Sequence, residues 1–306
     1  MGSGFWVSRY ELVSAAGLNA RTERRVYEGA LVWDGVGYGC LHSWPELGDA
    51  DLEGCLADLV GAQEFPLVRR TLACMAVDGA ARVEGRSLWE GVKVPRSHAT
   101  LTCFDEGAVE RALVAGFLVM KVKVGREVTR ELAFLRECCV RWPEVRWRVD
   151  FNETGDVEEL CEIFASWSEE ELASIDFLED PLPFESGLWR EFKARTGLAL
   201  GNDRQVLADG GVSDFLVVKP AVMEVPAEGR IVVTSYLDHA VGQAFAAWEA
   251  GRAGVSEWCG LQTHGAFEEN EFSEVLGVVQ PEFTVPEGMG IGFGDLLKKL
   301  EWVRLE

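Results

Sequence analysis

Positive charge is scarce in this 306-residue chain: 29 Lys and Arg stand against 51 Asp and Glu, a formal net charge of −22. A protein that neutralises phosphates needs a basic face, so nucleic acid is excluded as a partner, and an anionic membrane surface with it. Histidine is scarcer: the four (His42, His98, His239, His264) form no HxH or HExxH spacing, which argues against a zinc hydrolase. The eight cysteines are scattered, with only Cys138 and Cys139 adjacent and no CxxC pair. That is the pattern of reduced core thiols in a cytoplasm rather than of disulfides or zinc ligands. No stretch approaches the ~20 apolar residues of a membrane helix. The opening MGSGFWVSRYELV lacks the basic start and apolar core of a leader, so a cytoplasmic location is expected. Neither a Gly-rich phosphate loop nor a nucleophile elbow is present.

What the chain has is an unusual use of lysine. Of its basic residues 22 are Arg and 7 are Lys, yet two of the seven lysines fall in one apolar stretch, GFLVMKVKVG at 116–125. The β-branched and apolar run predicts a strand, on which Lys121 and Lys123 share a face. Alone, such a strand reads as half-buried with a solvated lysine face. Lysine differs from arginine, however, in losing its proton when crowded or desolvated.

Residues 5–13 and 24–41 read as antiparallel strands with Asp34-Gly35 at a hairpin turn, followed by helices over about 49–62 and 66–84, the second with Pro66 in its first turn. This predicts a compact α+β unit. From about residue 97 short apolar strands (98–104, 117–123, 145–150, 174–179, 198–202, 214–219, 230–234, and 255–259) alternate with helices at 106–115, 127–141, 156–168, 187–195 and 238–251. Repeated β-α units predict an α/β fold with a parallel sheet closed as a barrel. The connection from Lys219 to Ile231 is 11 residues, near the minimum for a parallel crossover, so its helix is expected to be vestigial or missing. The tail, GDLLKKLEWVRLE, is expected to pack back on the N-terminal unit as a strand or helix.

Active sites of such barrels gather at the strands' C-terminal ends. The second barrel strand ends in Lys121 and Lys123. The third puts Arg148, Asp150 and Asn152 on one face, the fourth ends in Glu179, the fifth at Asp203 and the sixth in Lys219. Singly these are solvated loop residues or helix caps. Together, three carboxylates aimed at one mouth repel each other unless a hard cation lies between them, and oxygen-only ligands point to Mg²⁺ or Mn²⁺. A lysine beside another lysine and a dication has its ammonium form disfavoured and can act as a base toward a carboxylate substrate's α-proton.

These motifs (KVKVG at 121–125, WRVDFN at 147–152, FLEDP at 177–181, GND at 201–203, VVKP at 217–220) resemble the enolase superfamily, and within it the o-succinylbenzoate synthases of menaquinone biosynthesis. The spacing agrees, with 27 residues from Lys123 to Asp150 and 29 from Asp150 to Glu179. TSYLDHAVGQAFAAW, GLQTHGAF and the HSWPELGD stretch at 42–49 match more loosely. The resemblance implies a capping domain over 1–96, a modified (β/α)7β TIM barrel over 97–285, and a C-terminal segment over 286–306 packed on the cap. It implies Mg²⁺ on Asp150, Glu179 and Asp203, Lys123 as the base, Lys121 lowering its pKa, and Lys219 stabilising an enediolate. Asn152 and Arg148 would support the ligands, and Ser235 would contact the substrate's succinyl tail. The implied reaction is syn-dehydration of a cyclohexadiene carboxylate to o-succinylbenzoate. Relatives that racemise N-acylamino acids or epimerise dipeptides share the same lysine–carboxylate order, with Lys123 and Lys219 as the two bases. A non-catalytic barrel scaffold is the remaining alternative, opposed by the filling of every expected charged position. The chain departs from the family in having Arg204 where an acid usually follows the third ligand, and Asp180 where a Glu usually follows the second.

Overall fold

A computed structural model describes residues 4–14 and 24–306 of the chain; the first three residues of the stretch read above for a leader lie outside them. The amino-terminal unit is an antiparallel sheet with two helices. Strands β1 (Trp6–Val13), β2 (Val26–Trp33) and β3 (Tyr38–His42) form a meander, and α1 (Leu52–Val60) and α2 (Pro66–Val83) follow. The β2–β3 hairpin turns where Asp-Gly predicts it: Asp34 Oδ1 accepts from the amides of Val36 and Gly37 at 2.9 and 2.8 Å, and Gly35 takes φ 99°. Gly37 is required for packing, because a Cβ there would lie 2.0 Å from the Met75 carbonyl oxygen of α2.

The second unit is a parallel sheet built from consecutive β-α units. In chain order it comprises β4 (Ala99–Leu101), α3 (Glu106–Val114), β5 (Val119–Lys123), α4 (Val128–Arg141), β6 (Arg146–Asp150), α5 (Val157–Ala165) and α6 (Glu169–Ala173). There follow β7 (Ile175–Glu179), α7 (Ser186–Thr196), β8 (Leu200–Asn202), β9 (Phe215–Val218), β10 (Arg230–Val233) and α8 (Ala240–Arg252). The strand order β10-β9-β8-β7-β6-β5-β4 is sequential and curls into a barrel. As the short crossover predicts, no helix separates β9 from β10.

Two expectations are corrected. The strand expected at 255–259 is reduced to Cys259 and Gly260, which bridge Ser97 on one sheet edge and Thr234 on the other. His98 N–H donates to Cys259 O at 2.7 Å and Gly260 N–H to Val233 O at 2.8 Å, so two residues close the ring. The helix expected to run to 168 ends at Ala165 and a separate α6 follows, because Ser168 and Glu171 form a reciprocal capping box that starts a new helix. Aspartates cap the neighbouring helices, with Asp105 accepting from Ala108 N and Asp156 from Glu159 N, each at 3.0 Å.

The strands are apolar on the side that meets the helices: Met120, Val122, Trp147, Val149, Phe151 and Leu178 pack against Leu132, Leu135, Leu160, Phe164, Trp189 and Phe192. The barrel floor is a small apolar plug of Phe177, Phe215, Val217 and Val232. Above the plug the inward positions are charged. The cap is fastened to the barrel by Arg70 of α2, which donates to Pro220 O at 2.9 Å and to Glu249 of α8 at 2.7 Å, and by Trp44 Nε1 donating to Tyr236 O at 2.8 Å. After α9 (Glu271–Leu276) and α10 (Gly294–Leu297), β11 (Val303–Arg304) pairs with β1, so the tail completes the cap's sheet. No helix of the described residues is long and apolar enough to cross a membrane.

Candidate active site

Sheet register sets the site in levels. Lys123 pairs with Asp150, and Asp150 with Glu179, across β5, β6 and β7, giving one level at the barrel mouth; Lys121 and Arg148 pair one level below. Asp203 follows the end of β8 and Lys219 the end of β9. All six charged residues read from the strand ends therefore meet at one mouth.

Lys121 reaches up to the carboxylates, with its Nζ 2.6 Å from Glu179 Oε1 and 2.9 Å from Asp150 Oδ2. On the other side Lys219 pairs with Asp203. These contacts separate the two lysines of the strand chemically. Burial works against the Lys121 ammonium, but Asp150, Glu179 and Asp203 outweigh it and hold its pKa raised. For Lys123 burial wins: desolvation, with Lys121 and Lys219 adding repulsion, lowers its pKa despite Asp150 and Glu179. The carboxylates divide likewise. Burial opposes ionisation of Asp150, yet Lys121 and Lys123 keep its pKa lowered. Glu179 is pushed up to about 7 by burial, with Asp150 and Asp203 adding to the effect against Lys121. Lys121 and Lys219 are two lysines set against three carboxylates.

That surplus of negative charge, presented by oxygen donors only, suits a hard dication. As the side chains stand, lysines bridge the carboxylates, and no three His, Cys, Asp or Glu groups among the described residues are drawn together to metal-binding geometry.

Arg148 is fully buried beneath the mouth. It donates to Asp176 Oδ2 at 2.8 Å and Trp258 O at 2.7 Å, shares a hydrogen bond with His98 Nδ1 at 2.9 Å, and stacks over the Phe177 ring. It bonds groups at the level of the floor and not the three mouth carboxylates. Asn152 lies closer: its N–H donates to Asp150 Oδ1 at 3.0 Å and its Oδ1 accepts from Arg204 at 3.0 Å. Ser235 is buried in the wall beside the closing segment, its hydroxyl 2.7 Å from Thr263 Oγ1.

A cleft of about 580 Å³ lies between cap and barrel, and the cap loop Leu47–Ala50, the start of α2, Asp203, Arg204 and Tyr236 are among its walls. Tyr236 donates to Asp49 Oδ2 at 3.0 Å across it. Asp49 and Tyr236 lie inside HSWPELGD and TSYLDHAVGQAFAAW, but neither carries a motif that marks it as a wall residue. Asp180, whose Oδ1 accepts from the Asp203 amide at 3.0 Å, is a further mouth carboxyl, held well above the usual range by burial and by Asp203 and Glu179.

Comparison with known proteins bears on the chain and its fold. Residues 5–81 match the family model described as O-succinylbenzoate synthase, N-terminal domain. An o-succinylbenzoate synthase of Bdellovibrio bacteriovorus is 28% identical over 324 aligned positions, covering 98% of each chain. An enolase-superfamily protein of Listeria innocua superposes with a TM-score of 0.80 at 15% identity, over 99% of this chain and 98% of that one. A dipeptide epimerase of Cytophaga hutchinsonii, complexed with Mg and the dipeptide D-Ala-L-Val, gives 0.76 at 16% identity over 99% of both chains. The chain thus shares the fold of these enolase-superfamily structures and is similar from end to end to an o-succinylbenzoate synthase.

Proposed function

We propose that the protein is an o-succinylbenzoate synthase, dehydrating 2-succinyl-6-hydroxy-2,4-cyclohexadiene-1-carboxylate. The observation that carries this reading is the division of labour between Lys121, locked by Asp150 and Glu179, and Lys123, whose proton is loosened on the same face. Likeness to the Bdellovibrio bacteriovorus synthase along 98% of each chain supports the choice of reaction.

Asp150, Glu179 and Asp203 would hold Mg²⁺ (or Mn²⁺), which would supply positive charge where the substrate carboxylate becomes an enediolate. Neutral Lys123 takes the ring proton α to the carboxylate, and the electron pair is left in the enediolate. Lys123 then returns that proton to the 6-hydroxyl as the carbon–oxygen bond breaks on the same face, so one water leaves and the ring becomes aromatic. Lys121 stays protonated and raises the cost of a second positive charge beside it. Lys219, across the mouth, faces the developing charge with its ammonium. The cleft between cap and barrel is where the succinyl arm would lie.

Proton transfer between the two faces of an N-acylamino acid or dipeptide is the second reading. It is favoured by one observation, that Lys219, just past the end of β9, stands four strands beyond Lys123 on β5. Purified protein given the cyclohexadiene substrate and Mg²⁺ should raise the aromatic ultraviolet absorbance, and EDTA should stop it. Absence of EDTA-sensitive turnover would sink the assignment. Faster α-proton exchange of N-succinyl amino acids in D₂O would favour the second reading.

A further inference from the structure

Backbone strain gathers at the mouth. Of the non-glycine residues with positive φ among the described residues, Asn152 (50°), Glu153 (65°) and Asp180 (42°) lie directly after β6 and β7. Such conformations persist only where the surroundings hold them, and they cluster at functional sites. The side chain common to all three is Arg204, at the turn after β8. Its Nη2 donates to Asn152 Oδ1 at 3.0 Å, and its Nε lies 3.6 Å from Glu153 Oε2 and 3.7 Å from Asp180 Oδ2.

Each strained residue is also tied to a mouth carboxylate or its neighbour. The Asn152 amide donates to Asp150 Oδ1 at 3.0 Å, and the Glu153 amide to Asp180 O at 2.8 Å. Asp180 adjoins Glu179, and its Oδ1 accepts from the Asp203 amide at 3.0 Å. Three strand ends are thus laced through one guanidinium, whose planar fork can serve several acceptors at once as an ammonium cannot.

We propose that Arg204 is a positioning residue: it holds the turns after β6 and β7 against the turn after β8, and so keeps Asp150, Glu179 and Asp203 spaced to receive a dication. The second half rests on reading those carboxylates as metal ligands. By charge alone, a cation beside the site repels a metal ion. The sign of the effect therefore separates positioning from electrostatics.

The test uses the full chain with Arg204→Ala, Arg204→Gln and Arg204→Lys, the latter two guarding against a poorly folded alanine variant. Hydrogen exchange of the metal-free proteins is followed at the amides of Asn152, Glu153 and Asp203, and Mg²⁺ alone is titrated by calorimetry. R204A should exchange these amides at least ~10-fold faster, while amides in α4 and α8 keep their rates. Its Mg²⁺ affinity should fall ~10–100-fold. R204Q, neutral but able to donate to Asn152, should retain more affinity than R204A, and R204K less than wild type. Unchanged exchange at the three amides overturns the proposal, as does acceleration spread evenly through the chain or Mg²⁺ binding that tightens in R204A. If wild type bound no Mg²⁺ while the three amides still responded, the metal reading would fail and the lacing of the turns by Arg204 would stand.

Discussion

Lys121 Nζ lies 2.6 Å from Glu179 Oε1, a buried ion pair between alternate levels of the barrel. It commits Lys121 to the carboxylates, while in the dehydration proposed above proton transfer falls to Lys123. Removing that cation should therefore be costly in the metal-free protein. In EDTA, Lys121→Met should lose about 3–5 kcal/mol, because Asp150 and Glu179 are left buried without it. Saturating Mg²⁺ should raise the melting temperature of the variant more than that of wild type. An equal response of the two proteins would mean that the carboxylates do not share a metal with the lysine's position.

Lys123→Ala should lower kcat by ~10²–10⁴ through loss of a general base, with Mg²⁺ binding and the fold retained. Lys123→Arg should fail nearly as badly, since a guanidinium keeps its proton. Lys219→Arg keeps a cation and should retain more dehydration than Lys219→Ala. Under proton transfer between two faces, Lys219→Arg would be as inactive as Lys123→Arg. Steady-state rates of these four variants decide between the roles.

Glu179 is held at about 7 against its ordinary 4.5, burial being the main cause. A carboxyl whose folded value is raised binds its proton more tightly when folded. Its contribution to stability is therefore complete below about 4.5 and lost as pH rises towards 7. Burial lowers His42 and His239 to about 3, which acts in the opposite sense as pH falls below their ordinary 6.5. The measurement must therefore be a difference. In EDTA, wild type should lose ~3 kcal/mol relative to Glu179→Gln between these limits. Denaturant melts across that range check it, and a flat difference would refute it.

Tyr236→Phe removes the hydroxyl that reaches Asp49 across the cleft at 3.0 Å. Both residues line the space between cap and barrel, so KM should rise several-fold with kcat less affected. A fall in kcat alone would place Tyr236 in the chemistry instead.

Much of this protein is legible from local pattern. Alternating β-α units, the Asp34-Gly35 turn, the short link after Lys219 and the charged strand ends each depend on neighbours in sequence. A strand's two-residue period is enough to put Lys121 and Lys123 on one face, and the rule that barrel sites lie at strand ends gathers the rest. The helix read over 156–168 overruns α5 by three residues and stops short of α6, which the Ser168–Glu171 capping box starts.

What required the tertiary structure was the pairing of groups far apart in the chain. Periodicity places two equivalent lysines on a face; it does not say which one the carboxylates hold protonated and which one burial loosens. That choice follows from the sheet's stagger, which sets Lys121 one level below Asp150 and Glu179, within reach of both, and Lys123 level with Asp150. Arg148 shows the same limit, since it shares a face with Asp150 but lies at the level of the floor and bonds Asp176 and Trp258 O there. Sequence places the closing strand at 255–259, but only the structure shows that Cys259 and Gly260 alone bridge the two sheet edges. Composition and local pattern determined the elements and the direction of their charged ends. Only the assembled barrel, through its register and burial, determined which charges neutralise one another and which lysine has its pKa lowered.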